Sequence, residues 1–543
     1  MSTSSRPDAD TTDNTADTTA DTATPGGRST TTVWAFRALG PLLALAVWLA
    51  LGGSDLSADG RVVAAIGTLM AVWWMSEALP LAATSLVPIA AIPALTDLGI
   101  ADATTPYADP IVFLFLGGFL IAIAMQKWNL HRRIALLTLR RVGTRPRQII
   151  LGMMIATAFL SMWVSNTATT LMMLPIALSV LILVIENSRG AQTADQDELT
   201  ERMQGEETLS DIIEDPDVRV FGVALLLAVA WSASIGGLGT LLGSPPNAIV
   251  AGYISTELDR DIGFVEWMAL GVPLVIVFLA VAWWVITRVV FRFQLDAIPG
   301  GRELIDEQIA ELGPPCRGEK VVMGVFAGAA FFWVVPGVLS NIGDLGERAP
   351  WLGGFDDTVI AITAGLVMFL VPAGEGDDRG RMTLEWEDAE RGLPWGVLLL
   401  FGGGLSLAAA VAGTGLDEWF GAQVSGLGAL PVVLLLAAVV TLVLLLTEVT
   451  SNTATAATFI PVLGGVAVGI GVDPVTLLIP AALAATCAFM LPVGTPPNAI
   501  VFGTGAVTIG EMARGGVVLN VVGVVLITLF TVAVGPFALD LVI

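Results

Sequence analysis

Two short runs hold most of the chemistry that this chain could do, Ser165-Asn166-Thr167-Ala168-Thr169 and Ser451-Asn452-Thr453-Ala454-Thr455. Each offers two hydroxyls and a carboxamide within three residues, oxygen donors without formal charge. Ser161 stands four residues before Ser165, and Thr447 four before Ser451. A further hydroxyl therefore lies one helical turn behind each run. Such oxygens suit a hard cation such as Na+, by the logic that governs other hard cations. Coupling to protons would instead draw on intramembrane Asp, Glu or His, and the candidates are few: Glu77, Asp109 and Glu448.

Two other segments match each other, Gly243-Ser244-Pro245-Pro246-Asn247 and Gly494-Thr495-Pro496-Pro497-Asn498. Proline removes a backbone donor and clashes with the preceding helical turn, so each pair marks an unwound stretch within a span. Unwinding frees carbonyls for a cation. It also exposes helix N-termini, whose N–H groups and partial positive charge suit an anion. The expectation is two symmetry-related cation sites with one anion shared between them. The core around these motifs has no Arg or Lys. A buried dianion there would be costly unless two Na+ ions and helix dipoles offset its charge.

These motifs belong to a repeat. Ser165 and Ser451 are 286 residues apart, and the same offset superposes Phe115-Leu116-Gly117-Gly118 on Phe401-Gly402-Gly403-Gly404. The segments 243–250 and 494–501 are 251 apart. The shortfall corresponds to an acidic loop over 186–219 that only the first half carries. One Ser-Asn-Thr in a span would read as interhelical glue. Two in matching positions, each followed by Pro-Pro-Asn-Ala-Ile-Val, point to one unit used twice.

The elements that must position the motifs are membrane spans. Of 543 residues, 55% are apolar and 14% charged, and mean hydropathy is +0.80; soluble domains run near 25% charged. A spanning helix needs about 20 mostly apolar residues. Candidates lie at 33–53, 62–80, 82–97, 111–130, 220–236, 264–290, 319–341, 357–373, 394–412, 474–491 and 514–540. Shorter runs at 148–164 with 168–185, and at 430–447 with 453–470, meet at the polar Ser-Asn-Thr tips and read as re-entrant hairpins. The sequence therefore predicts an all-α polytopic membrane protein with eleven transmembrane helices and two hairpins.

Arg132, Arg133, Arg140, Arg141, Arg145 and Arg147 follow the fourth span, which marks that loop as cytoplasmic. Counting crossings puts the N-terminus inside and the C-terminus outside, with only Arg61, Arg260 and Arg348 among the basic residues outside. The halves then run in opposite directions, the inverted repeat of secondary transporters. The first 32 residues, with five Asp and eleven Thr, cannot bury a core and read as a disordered acidic tail. A formal charge of −24 argues against nucleic-acid partners. Cys316 and Cys487 form no disulfide or zinc framework. His131, the single histidine, excludes a His-rich metal centre and reads as a solvated loop residue. No motif of an intramembrane enzyme is present, and a cation/proton antiporter would want a buried Asp pair.

Paired Ser-Asn-Thr motifs with paired Gly-[Ser/Thr]-Pro-Pro-Asn segments resemble the divalent anion/sodium symporter family over about residues 33–543. The resemblance implies a homodimeric elevator transporter in the cell membrane. Its scaffold would comprise 33–147 and 319–427, and its transport domain 148–293 and 428–543, with a cytoplasmic linker at 294–318. It implies one Na+ site at Ser161, Ser165, Asn166 and the Gly243 backbone. A second would use Thr447, Thr450, Ser451, Asn452 and the Gly494 backbone. Substrate contacts would come from Asn166, Thr167, Ser244, Pro245, Asn452, Thr453, Thr495 and Pro496. The implied partners are membrane lipid and a small dianion, foremost a C4-dicarboxylate such as succinate, malate or fumarate. Sulfate symport and Na+-independent dicarboxylate exchange are the alternatives.

Overall fold

A computed structural model describes residues 30–143, 145–189, 215–295, 301–340, 356–374, 379–424 and 430–542. The acidic tail lies almost wholly outside the described residues, as does most of the loop at 186–219. Among the described residues the chain is all-helical, with one isolated β-bridge between Pro372 and Met382. Nine of these helices are long and apolar enough to span a membrane. The chain is a multi-pass membrane protein.

Three elements recur in the same order in both halves. The first set is a hairpin of Pro146–Ser161 and Asn166–Arg189, a broken span of Pro216–Gly236 and Pro245–Leu258, and a full span starting at Phe264–Trp284. The second is a hairpin of Val432–Thr447 and Asn452–Ile470, a broken span of Pro474–Ala485 and Pro496–Phe502, and the full span Ile509–Ala533. The two sets interlock crosswise. The second arm of each hairpin packs on the latter helix of the other half's broken span.

Proline acts here differently from the sequence expectation. Pro245 and Pro496 occupy the first helical position, where the missing N–H is an orphan in any case. The unwound stretches precede them, at 237–244 and 486–495. Thr495 caps the second helix by accepting from Asn498 N–H at 3.3 Å. The helix Pro216–Gly236 is apolar on every face and buried along nearly its whole length, as a helix at the centre of a bundle must be.

Other boundaries also shift. The run at 82–97 is two pieces, Leu81–Thr84 and Val87–Leu95, because Ser85 turns its hydroxyl back to Leu81 O and Pro88 opens a new first turn. The arginine-rich segment after the fourth span is largely helical, Leu130–Val142, with Leu130, Leu136 and Leu139 buried and Arg140 and Arg141 at its end. His131 is accordingly not a solvated loop residue. It is 8% exposed, its Nδ1 is 3.1 Å from Met125 O, and burial lowers its pKa. The linker contains the helix Gly301–Glu311.

Gly117, Gly402 and Gly403 serve packing. A Cβ at Gly117 would meet the Ala361 backbone at 2.5 Å. Those at Gly402 and Gly403 would strike Tyr107 and the Ser85 backbone.

Candidate functional site

Each hairpin tip closes on the unwound stretch of its own half through an asparagine. One terminal atom of the Asn166 carboxamide lies 2.6 Å from Ser161 Oγ, 2.9 Å from Ala233 O and 3.2 Å from Gly243 O. The matching atom of Asn452 lies 2.8 Å from Thr447 Oγ1, 3.0 Å from Ala485 O and 3.1 Å from Gly494 O. An amide end ringed by three oxygens has two chemical solutions. Its nitrogen can donate to them, or its oxygen can join them around a hard cation. Among the described residues no group of three His, Cys, Asp or Glu could hold a metal, so a cation here would be bound by neutral oxygens.

The family described as "Sodium:sulfate symporter transmembrane region" matches residues 32–538. The chain belongs to that family. Sodium-dependent dicarboxylate transporter SdcS of Staphylococcus saprophyticus is 41% identical over 493 residues, which cover 90% of this chain and 89% of that protein. Its namesake in Staphylococcus aureus is 40% identical over 503 residues, covering 93% and 91%. Two solved structures share the fold at low identity. The Alcanivorax borkumensis YdaH transporter has a TM-score of 0.51 at 15% identity, covering 93% of this chain and 98% of its own. Neisseria gonorrhoeae MtrF, described among antimetabolite efflux pumps, has a TM-score of 0.53 at 12% identity, covering 93% and 95%.

In this symporter-family chain the two oxygen clusters are contiguous. Gly243 precedes Ser244, Ala485 precedes Thr486, and Ser244 Oγ is 3.0 Å from Thr486 Oγ1. Four helices begin at motif residues, at Asn166, Pro245, Asn452 and Pro496. Their N-terminal dipoles are the local source of positive potential. Thr167 and Thr453 are half-buried in the first turns of two of them, beside the tips.

The remaining tip hydroxyls have other partners. Ser165 Oγ accepts from Ala168 N–H at 3.3 Å. Ser451 is the N-cap residue of its helix, without a side-chain cap bond. Thr450 Oγ1 is 2.9 Å from Leu446 O and 2.6 Å from Thr455 Oγ1, which ties it to the hairpin's interior.

Several site-shaping residues are invisible in the motifs' side-chain chemistry. Ala233 and Ala485 contribute main-chain oxygens from the C-terminal ends of two helices, where carbonyls carry partial negative charge; Ala233 O also accepts from Gly237 N–H at 3.1 Å. Asn247 Nδ2 donates to Gly237 O and Thr240 O, both at 2.8 Å. Asn498 Nδ2 donates to Ala488 O and Leu491 O, both at 3.1 Å. These bonds fold the two stretches into matching shapes, and the repeated Pro-Pro-Asn was the signal. Indoles satisfy two corresponding carbonyls, with Trp267 Nε1 donating to Leu238 O at 3.0 Å and Trp231 Nε1 to Phe489 O at 3.1 Å. Gly271 and Gly516 let the following spans approach; a Cβ would meet Leu238 O at 2.6 Å or Phe489 O at 2.3 Å.

Two of the three acidic candidates, Asp109 and Glu448, have hydrogen-bond partners. Glu77 ends its helix at φ 50°. Asp109 caps the next span by accepting from Ile111 N–H at 2.9 Å. Glu448, 3% exposed, accepts from Phe489 N–H at 2.8 Å, Met490 N–H at 3.0 Å, Leu491 N–H at 3.1 Å and Asn520 Nδ2 at 2.6 Å.

Proposed function

We propose that the chain is a secondary active transporter that couples Na+ to the movement of a small dianion, a C4-dicarboxylate such as succinate, malate or fumarate, across the cell membrane. The observation that carries this is the pair of matched oxygen clusters, each combining a hydroxyl, an asparagine amide and two main-chain carbonyls. In one, Na+ is held by Ser161, Asn166, Ala233 O and Gly243 O, with Ser165 at the rim. In the other it is held by Thr447, Asn452, Ala485 O and Gly494 O, with Ser451 at the rim and Thr450 bracing the tip. The dianion lies between them against Thr167, Ser244, Pro245, Thr453, Thr495 and Pro496, its charge offset by two Na+ ions and four helix N-termini. The names and high coverage of the staphylococcal relatives support both the ion and the substrate class.

The mechanism is an elevator within a homodimer. Residues 148–293 and 428–543 move as the transport domain against a scaffold of 33–147 and 319–427. The N-terminus is cytoplasmic and the C-terminus extracellular.

The test is uptake of labelled succinate, malate, citrate and sulfate into proteoliposomes, with an inward Na+ gradient or with internal substrate alone. Succinate uptake that needs the Na+ gradient is expected. Uptake that ignores Na+ but requires internal substrate would make the chain an exchanger. The family's sulfate designation favours one second substrate, and sulfate uptake exceeding that of every dicarboxylate would make sulfate the substrate instead.

A further inference from the structure

Away from the two oxygen clusters, one end of the first hairpin forms an arginine-lined cavity of about 830 Å3 against the end of the span that begins at Phe264. Arg145, Arg147 and Arg288 line it, with Gln148, Trp283 and Phe293. Among the described residues no carboxylate lines it, and these three arginines make no ion pair. Some other basic groups are instead paired with carboxylates: Arg133 is 3.0 Å from Glu319, Arg140 3.0 Å from Asp306 and Lys127 2.5 Å from Asp388.

The cavity is also built. Arg147 Nη2 donates to Phe293 O at 3.3 Å, and its guanidinium lies over the Phe293 ring at 5.7 Å. Trp283 Nε1 donates to Arg147 O at 2.9 Å. The Arg147 side chain is thereby held in place while its Nε is buried with no hydrogen-bond partner among the described residues. The helix Pro146–Ser161 begins at the cavity, adding the positive end of its dipole. Trp284, 55% exposed, marks the interfacial depth at which such rings settle.

We propose that Arg145, Arg147 and Arg288 form a binding site for a phosphate-bearing anion, either the headgroup of an anionic phospholipid or free inorganic phosphate. Guanidinium groups bind phosphate oxygens in a fixed fork geometry. Basic pockets between spans at the membrane surface take anionic headgroups. The site is independent of the transported dianion, because none of its residues belongs to either hairpin tip or unwound stretch.

The test uses the full chain, delipidated in detergent. Its thermal midpoint and retained lipid, the latter by native mass spectrometry, are followed with dioleoylphosphatidylglycerol, dioleoylphosphatidylcholine or inorganic phosphate. Phosphatidylglycerol is expected to be retained and to raise the midpoint, whereas phosphatidylcholine does neither. In R145Q/R147Q/R288Q, retention falls at least ~5-fold, given about 1 kcal/mol per basic residue near an anionic surface. The control R379Q/R381Q/R391Q, at exposed arginines elsewhere, retains the lipid. A shift with inorganic phosphate alone, lost in the same triple variant, assigns the site to the free ion. If the triple variant fails to fold, R288Q at an exposed position is read in the same way. Equal lipid retention by the pocket variants and the control, or no response of the wild type to either ligand, overturns the proposal.

Discussion

Ser244 Oγ and Thr486 Oγ1 are 3.0 Å apart and fully buried, and they come from opposite halves of the repeat. Each follows directly on a residue whose carbonyl belongs to an oxygen cluster, Gly243 or Ala485. A shift at either cluster is therefore expected to reach the other through one hydrogen bond and two peptide units. Thr486→Val removes the bond and leaves the proposed ligands in place. A neutral hydrogen bond contributes about 1 kcal/mol, so the variant folds. Its Na+ dependence of uptake becomes less steep, with a Hill coefficient nearer one. An unaltered Na+ titration would show that the clusters are not coupled by this route.

The asparagines admit a sharper test, because each is the only amide in its cluster. Asn166→Ala and Asn452→Ala each reduce uptake at least ~100-fold, equivalent to about 2.7 kcal/mol, while the protein elutes as the wild type does on size exclusion. A ligand at 100 times its dissociation constant stabilises by about 2.7 kcal/mol. The rise in thermal midpoint on adding Na+ to the wild type should therefore shrink in each variant. Wild-type uptake in either one would remove that asparagine from the site.

Much of this arrangement was legible in the chain. The Ser-Asn-Thr and Pro-Pro-Asn pairs reveal the repeat, the hairpin tips and the asparagines, because their side chains carry the chemistry and their spacing fixes their helical phase. Ala233 and Ala485 were not legible. A methyl side chain signals nothing, and their oxygens matter only because helices end beside them. The Leu130–Val142 helix was hidden by its arginines, although Ala135, Leu136 and Leu139 fall at helical spacing. The charge of that segment masks a period that is nonetheless present. The two halves also solve one problem differently. Met162 and Glu448 occupy equivalent positions under the 286-residue offset. In the first half Thr240 Oγ1 donates to Met162 O; in the second, the Glu448 carboxylate gathers three main-chain N–H groups. No repeat alignment exposes such a difference.

Glu448 is consequently a structural hydrogen-bond acceptor, and its substitutions should separate that role from proton transfer. Glu448→Ala leaves the Phe489, Met490 and Leu491 N–H groups without their acceptor. At about 1–3 kcal/mol for each buried unsatisfied group, the loss is at least ~3 kcal/mol, read as a lower thermal midpoint. Glu448→Gln retains one acceptor oxygen but turns donors toward donors, so its midpoint falls between wild type and Ala. Its uptake keeps the wild-type dependence on pH. A Gln variant as stable as wild type but insensitive to a pH gradient would instead identify Glu448 as a proton carrier.

The proposed sliding of one domain past the other must break a specific contact. Phe264 and Trp333 stack at 4.5 Å between centroids, 8° from parallel, and Trp163 at the first hairpin tip stacks on Trp333 at 6.1 Å. Phe264 N–H also donates to Asp357 at 2.9 Å. Trp163 and Phe264 belong to the proposed transport domain, Trp333 and Asp357 to the proposed scaffold. Beside this stack, a Cβ built at Gly337 lies 3.4 Å from Val265 Cβ, close to the ~3.5–4.5 Å that a disulfide spans. With Cys316 and Cys487 replaced by Ser and Ala, the pair Val265→Cys and Gly337→Cys should cross-link on mild oxidation. The oxidised protein retains Na+-dependent stabilisation by substrate yet takes up none, and reduction restores uptake. Full uptake by quantitatively cross-linked protein would mean that these two surfaces stay together through the cycle, and the elevator assignment would fall.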